Sequence, residues 1–363
     1  MWKSTIYRLW WVLFLSPCLA HGAEVSGLYE AEVQVFSQKG AERATAMGVA
    51  LSEVLAKVSG RRDAAMQRGV AEAVRQPSAL LQQYLYRALP EDEKLPAAPG
   101  EEPQLVFFRF DKEAVDKLLR DNGLPVWGST RPATLVWLAV EDAERRVLVG
   151  SDMAEPVRRA LEREARQRGL ALVLPLLDLE DQTKLQFAEV WGGFNEPVLA
   201  ASARYRTEAV LMGRMQRTPA GEWTGSWTLL QGDASRTWEA RGVLAEEVVD
   251  AGMAGVVDTL AARYAPAAAG QQAAALSMIV TAVRDLRDYA RVIQYLQSLE
   301  QVTHVQTLRV DADRVGFELA VRGDAAGIAQ IIGLGNVLTP VASGVVPADG
   351  QTPRPVIYQL STQ

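Results

Sequence analysis

The stretch from Ala201 to Tyr264 constrains the fold more than any other part of the chain. A helical run ending in Arg204-Tyr-Arg-Thr-Glu leads into Ala209-Val-Leu-Met-Gly213-Arg214-Met, a short apolar strand pattern. After a turn at Pro219-Ala-Gly-Glu, the segment Trp223-Thr-Gly-Ser-Trp227-Thr-Leu-Leu puts Trp223, Gly225, Trp227 and Leu229 on one side at period two. Asp233-Ala-Ser makes the next turn, and Arg236-Thr-Trp238-Glu-Ala-Arg reads as a third strand. A helix over Glu246–Tyr264 closes the unit, with apolar residues at Val249, Met253, Val256, Val257 and Leu260. The pattern is a βββα packing unit. It holds no nucleophile–base pair, no metal cluster and no phosphate loop.

On either side the chain reads as further α/β units, with room in 363 residues for two or three domains. The first module, 24–126, is read as β-α-(α-α)-β-α. A half-buried strand over Leu28–Phe36 precedes a helix from Gly40 to Ser59, ended by Gly60. Helical blocks over Ala65–Arg75 and from Ser78 to about Arg87 follow. The proline-rich excursion 90–103 then leads to the strand Leu105–Phe110 and to the helix Lys112–Asp121, capped by Asp111. The central module, 127–265, has near-continuous apolar strands at Ala133–Val140 and Leu170–Leu174. Its helices and the tryptophan-rich hairpin imply a mixed sheet covered by helices. Trp191–Asn195 is read as a loop within it. A linker at 266–275 separates a third module, 276–342, whose element order βαββαβ is that of a ferredoxin-like fold, and 343–363 reads as a polar, flexible tail.

The N-terminus sets the expected compartment. Lys3 and Arg8 precede a short apolar run, Leu9–Leu15, and Ala20-His21-Gly22-Ala23 offers small residues for cleavage, so 1–23 reads as a signal peptide. The run is short for a stable membrane span, so cleavage is expected, with an uncleaved membrane anchor as the alternative. Pro17 directly before Cys18 spoils the outline of a lipoprotein box. Cleavage near Gly22-Ala23 removes the only cysteine and takes the formal charge from -6 to -8, because Lys3 and Arg8 leave with it. The expected mature protein is periplasmic, acidic and free of thiol chemistry. An acidic chain without a basic run is a poor partner for nucleic acid, and membrane contact is expected only through the leader before its removal.

Each candidate for chemistry has a plainer reading beside it. His304, the one histidine of the mature chain, has no Cys, Asp or Glu at ligand spacing, so neither a metal nor a cofactor is expected. Asp178, Glu180 and Asp181 follow a strand, where α/β folds place sites, yet the same residues cap a helix. Ser226 lies in Gly225-Ser-Trp, which is no nucleophile elbow. Trp223, Trp227 and Trp238 are the sharpest feature: either an aromatic face for a partner or sugar, or a cluster packed under the closing helix. Arg214 sits beside them, and Arg204, Arg206 and Arg214 either meet an anionic partner or pair with Glu208.

Several segments together carry a resemblance. They are Leu28-Tyr-Glu-Ala-Glu-Val-Gln-Val, Leu51-Ser-Glu-Val-Leu-Ala-Lys-Val-Ser-Gly60, Gly123-Leu-Pro-Val-Trp127 with Arg131-Pro132, Arg204–Met215, Gly221–Leu229 and Thr237–Gly242. The pattern resembles an uncharacterised family of exported Gram-negative proteins known only as a domain of unknown function. At the level of fold, the strand, hairpin and closing helix are similar to α/β domains of Tol-system, curli-secretion and penicillin-binding-protein-activator lipoproteins. That resemblance implies protein contacts in the cell envelope and assigns no catalytic residue. The expectation is a non-catalytic envelope module with envelope proteins as partners and a candidate face of Trp223, Trp227, Trp238 and Arg214. The alternatives are a carboxylate-dependent glycan or peptidoglycan hydrolase using Asp178, Glu180 or Asp181, and a small-ligand binder using the tryptophans.

Overall fold

The computed structural model describes residues 23–88, 103–143, 145–151, 156–265, 274–323, 325–341 and 355–361. The expected signal peptide lies almost wholly outside the described residues, as does most of the expected linker. The chain is α/β, with larger sheets in the N-terminal, central and C-terminal parts.

In the N-terminal part the elements are β1 (Ala23–Glu24), β2 (Glu30–Val35), α1 (Gly40–Ser59), α2 (Arg68–Arg75), β3 (Leu81–Ala88), β4 (Gln104–Phe110), α3 (Lys112–Asp121) and β5 (Thr130–Arg131). The strands order as β2-β4-β3, all antiparallel, and β1 pairs with β5. Helix α1 presents Ala50, Leu51, Val54, Leu55 and Val58 at helical spacing and buries them against Val106, Phe108 and Phe110. Asp111 caps α3 as its sequence predicts, accepting from the Ala114 amide at 2.8 Å. The expected helix over Ser78–Arg87 is corrected: only Pro77–Leu80 winds as a helical turn, and Leu81–Ala88 is an edge strand on β4. Tyr84 and Tyr86 favour a pleated surface, and pairing with β4 overrides the weak helical preference of Leu, Gln and Arg.

The central part comprises β6 (Thr134–Asp142), β7 (Arg145–Leu148), α4 (Pro156–Arg168), β8 (Leu172–Val173), α5 (Leu179–Lys184), α6 (Phe187–Gly192) and α7 (Asn195–Ser202). It continues with β9 (Ala209–Arg217), β10 (Trp223–Gln231), β11 (Ala234–Gly242) and α8 (Ala245–Tyr264). The sheet runs β11-β10-β9-β6-β7, with β8 beside the start of β6, and β6 and β9 are parallel. Its two faces are read directly from alternation along β6: Val136, Leu138 and Val140 enter the core under α4 and α8, while Leu135, Trp137 and Ala139 face α5–α7. Trp191 lies in α6 rather than in the expected loop.

The C-terminal part contains β12 (Ala274–Thr281), α9 (Leu286–Ser298), β13 (Val302–Val310), β14 (Arg314–Val321), α10 (Ala325–Leu334), β15 (Leu338–Pro340) and β16 (Val356–Leu360). The chain order through β15 is the expected βαββαβ. The sheet, however, is ordered β13-β14-β12-β16-β15, with β16 parallel to β12 and inserted between it and β15. A strand drawn from the predicted tail therefore holds the place where a four-stranded βαββαβ sheet would join its first and last strands, and the expectation of a flexible tail does not hold for Val356–Leu360. The reason is hydrophobic: Tyr358 is 1% exposed and Leu360 4%, and both lie in a core that continues into the central part.

One residue ties these parts together. The Arg131 guanidinium is fully buried, lies over the Trp127 ring at 4.1 Å, and donates to the carbonyls of Gly128, Gly169, Lys57 and Trp127 at 2.7–3.0 Å. Burial pushes its pKa down to about 9. Because Lys57 lies in the last turn of α1 and Gly169 follows α4, the planar donor fork fixes the N-terminal part on the central one. Arg62 to Asp250 at 3.2 Å, and a Lys112–Glu300 ion pair to the C-terminal part, add to this junction.

Candidate functional site

The tryptophans of the hairpin do not form an outward face. Trp227 is 0% exposed, and Trp223 and Trp238 are half-buried against the core under α8. Two glycines of α8 make the room. A Cβ at Gly252 would stand 2.3 Å from Trp227 Cε2, and one at Gly255 would stand 2.3 Å from Trp238 Cε2. On the other side of the same indole a Cβ at Gly213 would lie 2.5 Å from Cζ3, so Trp227 is clamped between strand and helix. This corrects the reading of Trp223, Trp227 and Trp238 as a contact face: their hydrophobic area is already used by α8.

The opposite face of the hairpin is polar and open. Strand register sets Arg214 beside Ser226 and Ser226 beside Glu239, and in the next row Gln216 beside Thr224 and Thr224 beside Arg241. Glu141 of β6 extends the second row and is held by Arg146 of β7 at 2.9 Å. Helices α5–α7 cover the lower part of this face. They stop short of these rows and leave an open cavity of about 430 Å³, walled on one side by Trp191. The shelf lies at the carboxyl ends of the parallel strands β6 and β9, the end at which open α/β sheets bind ligands.

Local sequence explains how Trp191 is placed. Gln186 and Glu189 form a capping box at the start of α6, and Gly193 ends it with φ 74°. Phe187 and Trp191, four residues apart on that helix, stack at 5.3 Å. The Trp191 carbonyl accepts from Arg214 Nη1 at 3.0 Å, so the guanidinium is held at one nitrogen while the side chain stays exposed. Arg214 is thus the one member of the expected face that lies on the open side; Ser226, Glu239 and Arg241 join it through strand register, and Trp191 is brought to it by α6.

The acidic cluster is locked. Asp178 caps α5 and receives Arg204 in a bidentate pair at 2.6 and 2.9 Å. Asp181, 0% exposed, accepts from the Leu177 amide at 2.9 Å, from Arg204 at 3.0 Å and from the Tyr205 hydroxyl. The Arg204 guanidinium and the Asp181 amide hold Asp178 down to about 2, and Glu180 is drawn down by Lys184 and Arg204. A general acid must hold a proton near the working pH. Asp178 and Glu180 are drawn the other way, and the oxygens of Asp178 and Asp181 are already occupied. Glu208, one of the two partners weighed for the arginines, accepts from the Ala133 amide at 2.7 Å. His304 is exposed on β13, and no cluster of metal-binding side chains occurs among the described residues.

Residues 22–128 match the model of a family described as a domain of unknown function (DUF8605). The Leu28–Val35, Leu51–Gly60 and Gly123–Trp127 signatures fall inside that span, which takes in the N-terminal part as far as Gly128 but not the shelf. No curated protein matches the chain.

Proposed function

We propose that this chain is an exported, periplasmic module that works by binding envelope proteins, without catalysis of its own. The observation that carries the reading is the open shelf of Trp191, Arg214, Ser226, Glu239 and Arg241, an aromatic wall beside charged and hydroxyl groups on a rigid sheet. Arg and Trp are the side chains that most often anchor protein contacts. Export is supported by Lys3, Arg8 and the apolar run Leu9–Leu15 ahead of the small residues Ala20–Ala23. No described helix is long and apolar enough to cross a membrane. The hydrolase alternative draws no support from carboxylates whose oxygens are held by Arg204, Tyr205 and backbone amides.

The test is site-specific photo-crosslinking in intact cells, with the reactive group in place of Ser226 and, as control, in place of exposed Glu113 on α3. The expected result is a discrete adduct from position 226 that is lost on Arg214→Glu or Trp191→Ala. Equal yield from position 113, or an adduct indifferent to both substitutions, overturns the assignment of the shelf. Cell fractionation that finds the mature chain in the cytoplasm overturns the assigned compartment.

A further inference from the structure

The free edge of the central sheet carries a second inference, through Glu239 and Arg241, which also border the shelf. Strand β11 pairs with β10 in unbroken register from Gln231 opposite Ala234 to Trp223 opposite Gly242, and no described strand pairs with its other side. Ala234, Ser235, Arg236, Thr237, Glu239 and Arg241 are all exposed. The C-terminal edge strand β13, equally long, is interrupted by two register shifts, a feature that blunts an edge against pairing. β11 has neither a shift nor a proline. Gln231 and Ala234 close a two-residue turn and are therefore a mutually hydrogen-bonded pair. Bonding to β10 then falls on the even-numbered residues. Ser235, Thr237, Glu239 and Arg241 turn their amides and carbonyls toward the free edge.

We propose that β11 pairs antiparallel with the β11 strand of a second copy of this chain, about a two-fold axis at Ala240. In that register Glu239 lies directly opposite the partner's Arg241, and Arg241 opposite the partner's Glu239. Charge selects it. An axis at Glu239 sets carboxylate against carboxylate, and an axis at Arg241 sets guanidinium against guanidinium, both unfavourable for directly opposed residues. An axis at Trp238 leaves both charges facing hydroxyls. With the axis at Ala240, the half-buried Trp238 on the helix side lies opposite the partner's Gly242, which has no side chain to obstruct the indole. Such a contact is isologous and closed, so it ends at a dimer. It also joins the two polar shelves into one surface across the axis.

Sedimentation equilibrium of the full chain over the micromolar to millimolar range tests this, with Glu239→Arg, Arg241→Glu, their equimolar mixture and the double exchange. Two symmetry-related pairs change sign in each single variant, so each is expected to weaken self-association by about tenfold or more. In the mixture the arginine pair of one variant faces the carboxylate pair of the other. A mixed dimer as strong as the parent is therefore expected, and the double exchange is expected to restore the homodimer. A parent chain that stays monomeric throughout overturns the proposal. So does a dimer indifferent to the single exchanges, or a mixture no more associated than its components. None of these outcomes bears on adduct formation at position 226, so the two readings fail separately.

Discussion

Gly252→Ala in α8 is expected to destabilise the protein, although alanine is the better helix former by about 1 kcal/mol. The added carbon would stand 2.3 Å from Trp227 Cε2 and 2.6 Å from Cδ2 and Cζ2. Carbon atoms pack best at roughly 3.5–4.0 Å, so the indole or the helix must move by more than about 1 Å. The indole has nowhere to go. It is 0% exposed, and its far edge already lies against the backbone at Gly213. Overpacking of a closed site costs about 1–3 kcal/mol, and more when the neighbour is rigid. After the gain in helix propensity, a net loss of about 0–2 kcal/mol remains, at the upper end because the indole is rigidly held. Gly255→Ala is the control. The added carbon meets Trp238 at the same 2.3 Å, but that indole is half-buried on the edge strand and can turn toward solvent. There propensity and crowding are expected to cancel to within about 0.5 kcal/mol. Urea unfolding of both variants, with an unchanged slope, measures the difference. Trp227→Phe in the Gly252→Ala background removes the crowded ring and is expected to show a favourable coupling of about 1 kcal/mol in a double-mutant cycle. A Gly252→Ala protein as stable as the parent, or a coupling of zero, refutes the clamped-indole reasoning.

Two further predictions follow from buried charges. Arg131→Met is expected to cost about 3–5 kcal/mol in thermal or urea unfolding, because carbonyls of the α1, Trp127 and α4 segments lose their shared donor. Arg131→Lys is expected to recover little of that, since an ammonium lacks the planar fork that meets Lys57 and Gly169 at once. A lysine variant within about 1 kcal/mol of the parent contradicts the staple. Glu164, 9% exposed, is pushed up to about 6 by burial and by neighbouring Asp250. Because the folded value is raised, the associated stability is fully present below about 4.5 and lost as pH rises through about 6, roughly 2 kcal/mol in all. Unfolding measured at both ends of that window is expected to show Glu164→Gln gaining on the parent only at the higher pH, and a pH-independent difference defeats the assignment.

The central unit was legible because two periodicities agree there. Trp223, Gly225, Trp227 and Leu229 alternate, and Val249, Met253, Val256, Val257 and Leu260 follow helical spacing, so strand face and helix face identify each other. The exposure of the tryptophans was not legible, since it depends on Gly252 and Gly255 of α8 lying against the right rings. Arg214 could be named from sequence, but its companions could not. Ser226, Glu239 and Arg241 become neighbours only through strand register, and Trp191 arrives on a helix from another segment. One signal was present: Thr224, Ser226 and Thr228 alternate with the apolar residues, which marks the face of β10 away from α8 as solvated. The misread Leu81–Ala88 and Val356–Leu360 are both strands whose partners lie far off in sequence, β4 across the proline-rich excursion and β12 some eighty residues before. Local preference cannot report such pairing.

The two faces of the hairpin decide what kind of partner the shelf can hold. On the helix side every large apolar ring is spent on α8, so the exposed side offers one aromatic wall, two arginines, one carboxylate and hydroxyls. Small molecules are held tightly by clefts that cover most of their surface and are lined mainly by apolar groups. An open shelf with polar rows offers neither condition. A polypeptide can extend past the rows onto β11 and the rim around Phe194, which is 58% exposed, and gather area that no small ligand reaches. The geometry of Arg214 suits that use. Its guanidinium is held through Nη1 by the Trp191 carbonyl, so less side-chain entropy remains to be lost when its other donors meet a carboxylate or carbonyl. For the same reason Arg214→Lys, although it keeps the charge, should behave at the shelf more like a loss than a conservative change.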